Sequence, residues 1–342
     1  MKRHLNTLYV TTQGAHLAKD GDTILVRANK ELLMRVPLLT IASVICFGQV
    51  SCSPALMAAC AERDVSIAFL SEHGRFLARV VGETSGNVLL RREQYRRADS
   101  SAATLDIAKS IIVGKIVNTR TVLLRGARDR AAADSAALAA AAGRMSAFLT
   151  ALEGVSTLEE ARGLEGAAAR EYFAAFHALL AQPAEGFLFT TRSRRPPRDP
   201  INALLSFVYT LVLHDVTAAL EVHGLDPAVG FLHRDRPGRV GLALDLMEEF
   251  RSWLADRLVL TLINLRQVSS DEFTRGETGG VTMSDNARKT VLVAYQKRKQ
   301  DELTHPFLGE KTTVGLVPSI QALLLARYLR GDIDAYPPFV WK

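Results

Sequence analysis

The chain has 342 residues, of which 48% are apolar and 23% charged. That is too long for one ordinary core and too apolar for long disordered tracts, so two folded domains are expected. Lys plus Arg number 42 against 36 for Asp plus Glu, a net charge of +6, which favours a polyanionic partner without establishing one, because many enzymes of small anions are equally basic.

Cys46, Cys52 and Cys60 are the only cysteines. Their odd number, apolar neighbours and lack of a CxxC spacing argue for buried free thiols in a reducing compartment. Lys2, Arg3 and His4 lead straight into an alternating segment, unlike a secretory leader. The apolar runs at 36–48 and 203–213 are too short or too interrupted to span a bilayer, so a cytosolic protein is expected.

In chain order, residues 5–12 are rich in strand formers. Residues 16–18 and 23–26 flank Lys19-Asp20-Gly21-Asp22, a hairpin turn in which Asp-Gly tolerates positive φ. Ile41–Phe47 and residues 65–70 are two further strands. Between them Ser53 is placed to cap a short helix over Pro54–Glu62. Residues 74–81 close this series, and residues 86–100 form a connector. From Ser100 alanine becomes abundant and apolar residues recur at helical spacing over 101–125, 134–152, 165–180, 200–223, 242–265, 285–303 and 318–329. The stripe Ile201, Leu204, Leu205, Val208, Leu211, Val212 and Val216 is the clearest of these. Residues 271–284 interrupt the helices, with Gly279-Gly280 suited to a hairpin. The expected fold class is α+β: a small N-terminal β-rich domain at 1–86, an arginine-rich connector at 87–99 and a larger, mainly α-helical domain at 100–342.

Positive charge is clustered. Residues 87–98 carry a net +3 with Arg91 and Arg92, residues 190–200 a net +3 with Arg192, Arg194, Arg195 and Arg198, and residues 288–299 a net +5 with Lys297 and Arg298. Pro196, Pro197 and Pro200 keep the second cluster out of a helix interior, leaving a loop that presents guanidinium groups to solvent. Any one cluster reads equally as a solvated surface. Three together favour DNA or RNA, whose phosphates give affinity without sequence readout.

Three segments are candidates for chemistry. Glu165 lies between Gly163 and Gly166 at the mouth of a helix, where small neighbours permit close approach of a ligand; a first-turn acid favoured by the helix dipole is the plain alternative. His233 ends the apolar stretch 224–233 and is either a ligand, a proton-transfer group or a satisfied half-buried histidine. Asp245 and Glu248 are i, i+3 on one helix face at the edge of a stripe through Leu242, Leu246, Phe250 and Trp253. Two such carboxylates repel unless a cation or proton lies between them. Periodicity does not choose between Glu248 and Glu249. Hard oxygens with one imidazole suit Mn²⁺ or Mg²⁺, which can activate a hydroxyl and stabilise charge on phosphate.

Read together, these segments resemble the CRISPR-associated integrase family, the "Cas-one" proteins, over nearly the whole chain. The resemblance rests on Val65-Ser66-Ile67-Ala68-Phe69-Leu70 with His73-Gly74-Arg75, Leu90-Arg91-Arg92-Glu93-Gln94-Tyr95, Lys115-Ile116-Val117-Asn118 to Leu123-Leu124-Arg125, Gly163-Leu164-Glu165-Gly166 and Asn202-Ala203-Leu204-Leu205-Ser206-Phe207 to Tyr209. It continues through Gly224-Leu225-Asp226-Pro227 to Gly230-Phe231-Leu232-His233, and residues 242–251. The subtype resembles type I-C. The resemblance implies Glu165, His233 and Glu248 as ligands of Mn²⁺ or Mg²⁺, with Asp245 as a nearby acid, and a homodimer through the β domains. It further implies DNA with 3′ overhangs and CRISPR repeat DNA as substrates, a small "Cas-two" partner and, in this subtype, a Cas-four nuclease. Two other readings of the same residues stay open: a stand-alone metal-dependent nuclease, and a non-catalytic basic adaptor that clamps DNA.

Overall fold

The computed structural model describes residues 6–63, 65–72, 74–82, 88–181 and 186–341. His73 and the start of the connector, residues 83–87, lie outside the described residues. The chain divides into two compact units. One comprises Met1–Gly86 with Tyr295–Asp301 and Val314–Leu316, and the other holds the rest.

The first unit is built from β1 (Asn6–Val10), β2 (His16–Asp20), β3 (Thr23–Ala28), β4 (Glu31–Pro37), β5 (Ile41–Phe47), β6 (Ser51–Cys52), α1 (Pro54–Glu62), β7 (Ser66–Leu70) and β8 (Phe76–Val80). One sheet has the order β1-β5-β7-β8 and the other β4-β3-β2-β6. β5 runs parallel to both its neighbours, and its near-continuous apolar run is buried accordingly. In the β2–β3 hairpin Asp20 pairs with Thr23 across Gly21, whose φ is +56°. The Ser53 hydroxyl accepts from the Leu56 amide at the start of α1. Leu17, Ile24, Val44, Leu56 and Ile67 fill the core together with Cys46, Cys52 and Cys60, which are buried free thiols. Each such aliphatic side chain contributes roughly 1.5–3 kcal/mol by leaving water. β4 had no sequence signal: Asn29 and Lys30 both take positive φ in a tight turn that carries no glycine.

The second unit holds α2 (Val88–Asp99), α3 (Ser101–Arg128), α4 (Ala132–Glu153), α5 (Leu158–Ala175), α6 (Pro200–Val222), α7 (Gly241–Met247) and α8 (Arg257–Asn264). It also holds the hairpins β9 (Phe273–Arg275) with β10 (Val281–Met283) and β11 (Glu302–Thr304) with β12 (Lys311–Thr313), most of α9 (Asp285–Gln300), and α10 (Val317–Arg330). The fold class is that expected from the sequence. Several segments differ in detail. Residues 88–99 form a helix rather than a bare connector; Leu90 and Gln94 are buried, and the Gln94 amide donates to the carbonyls of Asp226 and Val229 at 2.8 Å each. Residues 302–304 leave α9 and pair as a strand. α4 and α6 are each long and apolar enough to cross a membrane, more than the apolar runs alone implied. In α6, 72% of the most apolar stretch is buried inside the unit, as in a core helix. It packs against α7 and α10, and α4 lies on α3 and α5.

Candidate functional site

Glu165 does not stand at a helix mouth. α5 begins at Leu158, capped by Thr157 and Glu160 in a reciprocal capping box: the Glu160 amide donates to the Thr157 hydroxyl and the Thr157 amide to the Glu160 carboxylate. Glu165 is therefore two turns inside the helix. A methyl group at Gly163 would meet nothing within 4 Å, and one at Gly166 only the end of the Arg170 side chain. The glycines leave that helix face open rather than accommodating a neighbour.

His233 is set by the turn after α6. The chain reverses at Gly224, where φ is +77°, and the 227–230 segment docks on the start of α7 through Gly241 N–H to Ala228 O at 3.1 Å and Leu242 N–H to Pro227 O at 2.9 Å. A Cβ on Gly230 would lie 2.7 Å from Asp245 Oδ2 and 2.7 Å from the Gly241 carbonyl carbon. Asp245, fully buried, accepts from the amides of Phe231 (2.6 Å), Leu232 (2.9 Å) and His233 (2.8 Å) and from His233 Nδ1 (2.6 Å). These four donors occupy the lone-pair directions of an ionised carboxylate. Asp245 thus orients the imidazole and leaves Nε2 as its free nitrogen.

α7 ends at Met247, and the next two acids turn apart. Glu248 points to the site, with Oε1 at 3.0 Å from Arg251 and 3.8 Å from His233 Nε2, and Oε2 at 2.7 Å from Lys115 Nζ. The same ammonium, from the middle of α3, hydrogen-bonds Glu165. Glu249 points away and is sealed by Tyr336 Oη, the Phe339 amide and Gln321 Nε2. Periodicity does not separate these two acids, and the structure turns them to different partners.

Burial acts to raise the Glu248 carboxyl, but Arg251, Lys115 and His233 outweigh it and bring the pKa down to about 2. Burial acts to lower Lys115, and Glu248 and Glu165 outweigh it, so its pKa is raised. Arg251 is raised in the same way, with burial opposing and Glu248 prevailing. Its guanidinium also lies 5.1 Å from the Tyr209 ring. The Tyr209 hydroxyl donates to Asp256 at 2.7 Å, and burial pushes the Asp256 carboxyl up to about 6. Arg251 and Asp256 begin and end a π-helical turn, Arg251–Asp256, which aims both at a small cavity beside Lys115.

The structure thus brings Glu165, His233 and Glu248 together, with Asp245 behind His233. Among the described residues no three His, Cys, Asp or Glu side chains close around one point as metal ligands do; the Lys115 ammonium lies between the two carboxylates instead. The residues nevertheless fit a hard divalent cation. Two carboxylates from different parts of the chain already share one positive charge, and an imidazole with its Nδ1 held by a carboxylate is a usual metal-ligand arrangement.

Positive charge rims the cluster. The Arg162 Nε–H donates to Leu232 O at 2.6 Å, and Glu159 pairs with both Arg162 and Arg234. Burial lowers the Arg239 pKa, and Arg236, Arg162 and Arg194 lower it further. Sequence patterning assigns no role to Lys115, Arg162, Arg236, Arg239 or Arg251. Lys115 had a signal: a cation in line with Ile111, Ile112 and Ile116, all buried. The basic clusters are partly absorbed. Arg192 is not offered to solvent; it donates to Asn202 Oδ1 (2.7 Å) and Ser206 Oγ (3.1 Å). Arg194, Arg195 and Arg198, in the same loop, are all exposed. Residues 88–99 being helical, Arg91 is half-buried while Arg92 stays exposed. In the third cluster Arg288 and Arg298 pair with Asp285 and Asp301, and Lys299 donates to Thr7 within the first unit.

A β-rich unit and a helical unit with acids, an imidazole and arginines gathered in this way define an α+β protein with an acidic, imidazole-bearing centre rimmed by cations. The family described as CRISPR associated protein Cas1 matches residues 8–297. A relative from Chlorobaculum tepidum named CRISPR-associated endonuclease Cas1 1 is 52% identical over 343 residues, covering 100% of both chains. A Cas4/Cas1 exonuclease–endonuclease fusion from Geobacter sulfurreducens is 38% identical over 98% of this chain and 60% of its own length. The chain belongs to the Cas1 family. Among solved structures, a Cas1 protein from Thermotoga maritima superposes with TM-score 0.82 at 22% identity over 95% of this chain and 97% of its own. A Cas6-RT-Cas1–Cas2 complex chain gives 0.83 at 24% over 100% of this chain and 36% of its own. A casposase bound to integration product gives 0.82 at 21% over 98% and 94%. At these identities the three structures speak for the fold.

Proposed function

We propose that this chain joins the 3′-hydroxyl ends of short DNA duplexes to CRISPR repeat DNA by metal-dependent transesterification, the integration step of CRISPR adaptation. The observation that carries the reading is the convergence of Glu165, from α5, and Glu248, just after α7, on one cation beside the Asp245-oriented His233. Glu165, His233 and Glu248 would hold Mn²⁺ or Mg²⁺, which when bound acidifies a hydroxyl and offsets charge on a phosphate. Asp245 keeps Nε2 of His233 as the available nitrogen. Arg251 fixes the direction of Glu248, and its stacking on Tyr209 fixes Arg251. Arg162, Arg194, Arg236 and Arg239 hold backbone phosphates so that the attacking oxygen and the target phosphate are in line, because positioning supplies much of the rate. No nucleotide cofactor is needed, since one phosphodiester is exchanged for another.

The reading extends to a homodimer through the β-rich unit, to a small Cas2 partner and to a Cas4 nuclease, supported by the Cas1–Cas2 and Cas4/Cas1 names among similar proteins. It also extends to a type I-C subtype acting in the cytoplasm. The name endonuclease on a close relative favours as second reading a nuclease that uses water.

One experiment separates the two. A duplex with free 3′-hydroxyls, incubated with the protein, divalent metal and a supercoiled array plasmid, should yield branched half-site products. The same duplex ending in 3′-dideoxynucleotides should bind but not join. Identical products from both would make water the nucleophile and install the nuclease reading. Glu165→Ala, His233→Ala and Glu248→Gln should each lose joining with circular dichroism unchanged. Joining that survives all three would take these residues out of the catalytic site, whereas a wild type that neither joins nor cuts with metal present would leave the adaptor reading.

A further inference from the structure

The Lys115 ammonium is the feature that this function does not by itself explain. It bonds Glu165, lies 2.7 Å from Glu248 Oε2, and is 12% exposed. It sits where the reading above needs a divalent ion. We propose that Lys115 is a resident cation of this site that must withdraw before both carboxylates bind metal, so that metal and polyanionic DNA enter together. This rests on Glu165 and Glu248 being metal ligands.

Charge supports the proposal first. Glu165, Glu248 and the buried Asp245 bring three negative charges, and Lys115 and Arg251 bring two positive ones. The cluster carries one net negative charge as it stands. Adding a divalent ion turns this into one uncompensated positive charge in a largely buried place, which is costly unless anions arrive with it. The phosphates of a DNA duplex are such anions. A site with two carboxylates and no built-in cation would bind metal with no need of DNA.

Mobility and space support it second. Arg251 is held from two sides, by Glu248 Oε1 at 3.0 Å and by the Tyr209 ring at 5.1 Å. Lys115 has a flexible four-carbon stem and is held by ion pairs at its ammonium. Beside it lies a cavity of about 30 Å³, mainly apolar through Ile116, Met145 and Phe173, with the Asp256 carboxylate and the guanidinium groups of Arg194 and Arg251 at its wall. That exceeds the roughly 10–15 Å³ that a water needs, and an ammonium is of similar size. Lys115 therefore has room to move without leaving its helix, with Asp256 as the one acid lining that room, and from there its charge faces the same incoming phosphates as Arg194.

The test measures metal binding without turnover. Free Mn²⁺ is titrated by electron paramagnetic resonance against wild type, Lys115→Met and Glu248→Gln, each alone and with a 3′-dideoxy-terminated duplex that cannot react. Wild type should bind Mn²⁺ about tenfold more tightly with the duplex, within the usual range of coupling between two ligands. Lys115→Met should bind about tenfold more tightly than wild type without DNA and lose most of the duplex dependence. Glu248→Gln should bind poorly in both conditions. Equal affinities of wild type and Lys115→Met without DNA, with Glu248→Gln impaired, would overturn the resident-cation proposal and leave the metal reading standing. No Mn²⁺ binding by wild type in either condition would overturn the metal reading itself. Should Lys115→Met not fold, a crystal structure of Mn²⁺-loaded wild type decides. Nζ beyond hydrogen-bond reach of at least one carboxylate supports the proposal, and Nζ still bonded to both refutes it.

Discussion

At the scale of single residues, the working parts are set by neighbours that do no chemistry. Asp245 spends its four acceptor positions on three amides and His233 Nδ1, so it acts through His233. An amide in its place presents N–H groups to donors and frees the ring to turn. Asp245→Asn should weaken Mn²⁺ binding on the order of 10–100-fold, as loss of such an orienting partner does elsewhere. Unchanged affinity in a titration would show that the imidazole needs no orienting acid. Gly230 makes the approach possible. Its added methyl would press on Asp245 Oδ2 and on the backbone of Gly241 and Leu242, at 2.7 to 2.9 Å, where no flexible side-chain end can yield. Gly230→Ala should cost roughly 1–3 kcal/mol in denaturant unfolding. Gly163→Ala, which meets nothing within 4 Å, should be neutral or stabilising by up to ~1 kcal/mol, since glycine inside a helix is unfavourable. Equal losses in the two variants would refute the packing argument.

At the scale of elements, regular patterns were legible and local departures were not. The spacing of α6, the Asp-Gly hairpin and the Ser53 cap of α1 each follow from one local rule, and the structure agrees. The 242–265 segment reads as one helix by its apolar stripe. It is broken after Met247 and resumes through a π-helical turn. Such a turn inserts one residue without any compositional mark and is common at functional sites. Here it turns Arg251 and Asp256 to the cavity. The start of α5 was legible in Thr157-x-x-Glu160, yet the glycines around Glu165 drew the boundary inward. Glu249 could not be separated from Glu248 because its partners Tyr336 and Phe339 lie far along the chain, in the C-terminal segment 336–341. That segment is anchored by Phe339 N–H to Glu249, Trp341 N–H to Asn118 Oδ1 at 2.6 Å, and the Trp341 ring beside Arg125 at 3.9 Å and Arg257 at 4.4 Å. Burial pushes the Glu249 carboxyl up to about 8, against the pull of Tyr336, Phe339 and Gln321. A raised folded-state pKa means that the folded protein holds a proton which the unfolded chain gives up near its ordinary value of about 4.5. Stability from this group is therefore complete below about pH 4.5, falls as pH rises and levels off above about 8, with a slope of at most ~1.4 kcal/mol per pH unit. The difference in unfolding free energy between wild type and Glu249→Gln should move in that sense between about pH 6 and 8. A constant difference would mean that the three donors keep Glu249 ionised.

At the scale of the molecule, the net charge of +6 conceals a division between cations that build the structure and cations that face outward. The sequence counts both alike. Arg192, Arg288, Arg298 and Lys299 are engaged by Asn202, Asp285, Asp301 and Thr7. Arg194, Arg195 and Arg198 share the segment of Arg192, and Arg194 lines the cavity beside Lys115. This division changes what a salt titration should read. Each lysine or arginine that neutralises a DNA phosphate releases counterions and adds roughly 0.9 to the slope of log affinity against log salt, independently of base sequence. Replacing Arg194, Arg195 and Arg198 together by alanine should therefore weaken duplex binding and flatten the slope by roughly 0.9 for each phosphate no longer neutralised, with the unfolding midpoint little changed. Arg192→Ala should do the opposite. It removes donors to Asn202 and Ser206 from a half-buried position, so it should lower the unfolding midpoint and leave the slope near that of wild type. Fluorescence anisotropy on one duplex across a salt series, with thermal unfolding of the same samples, reads both effects. A slope that the triple variant leaves unchanged would turn this loop away from DNA and assign phosphate binding to the rim formed by Arg234, Arg236 and Arg239.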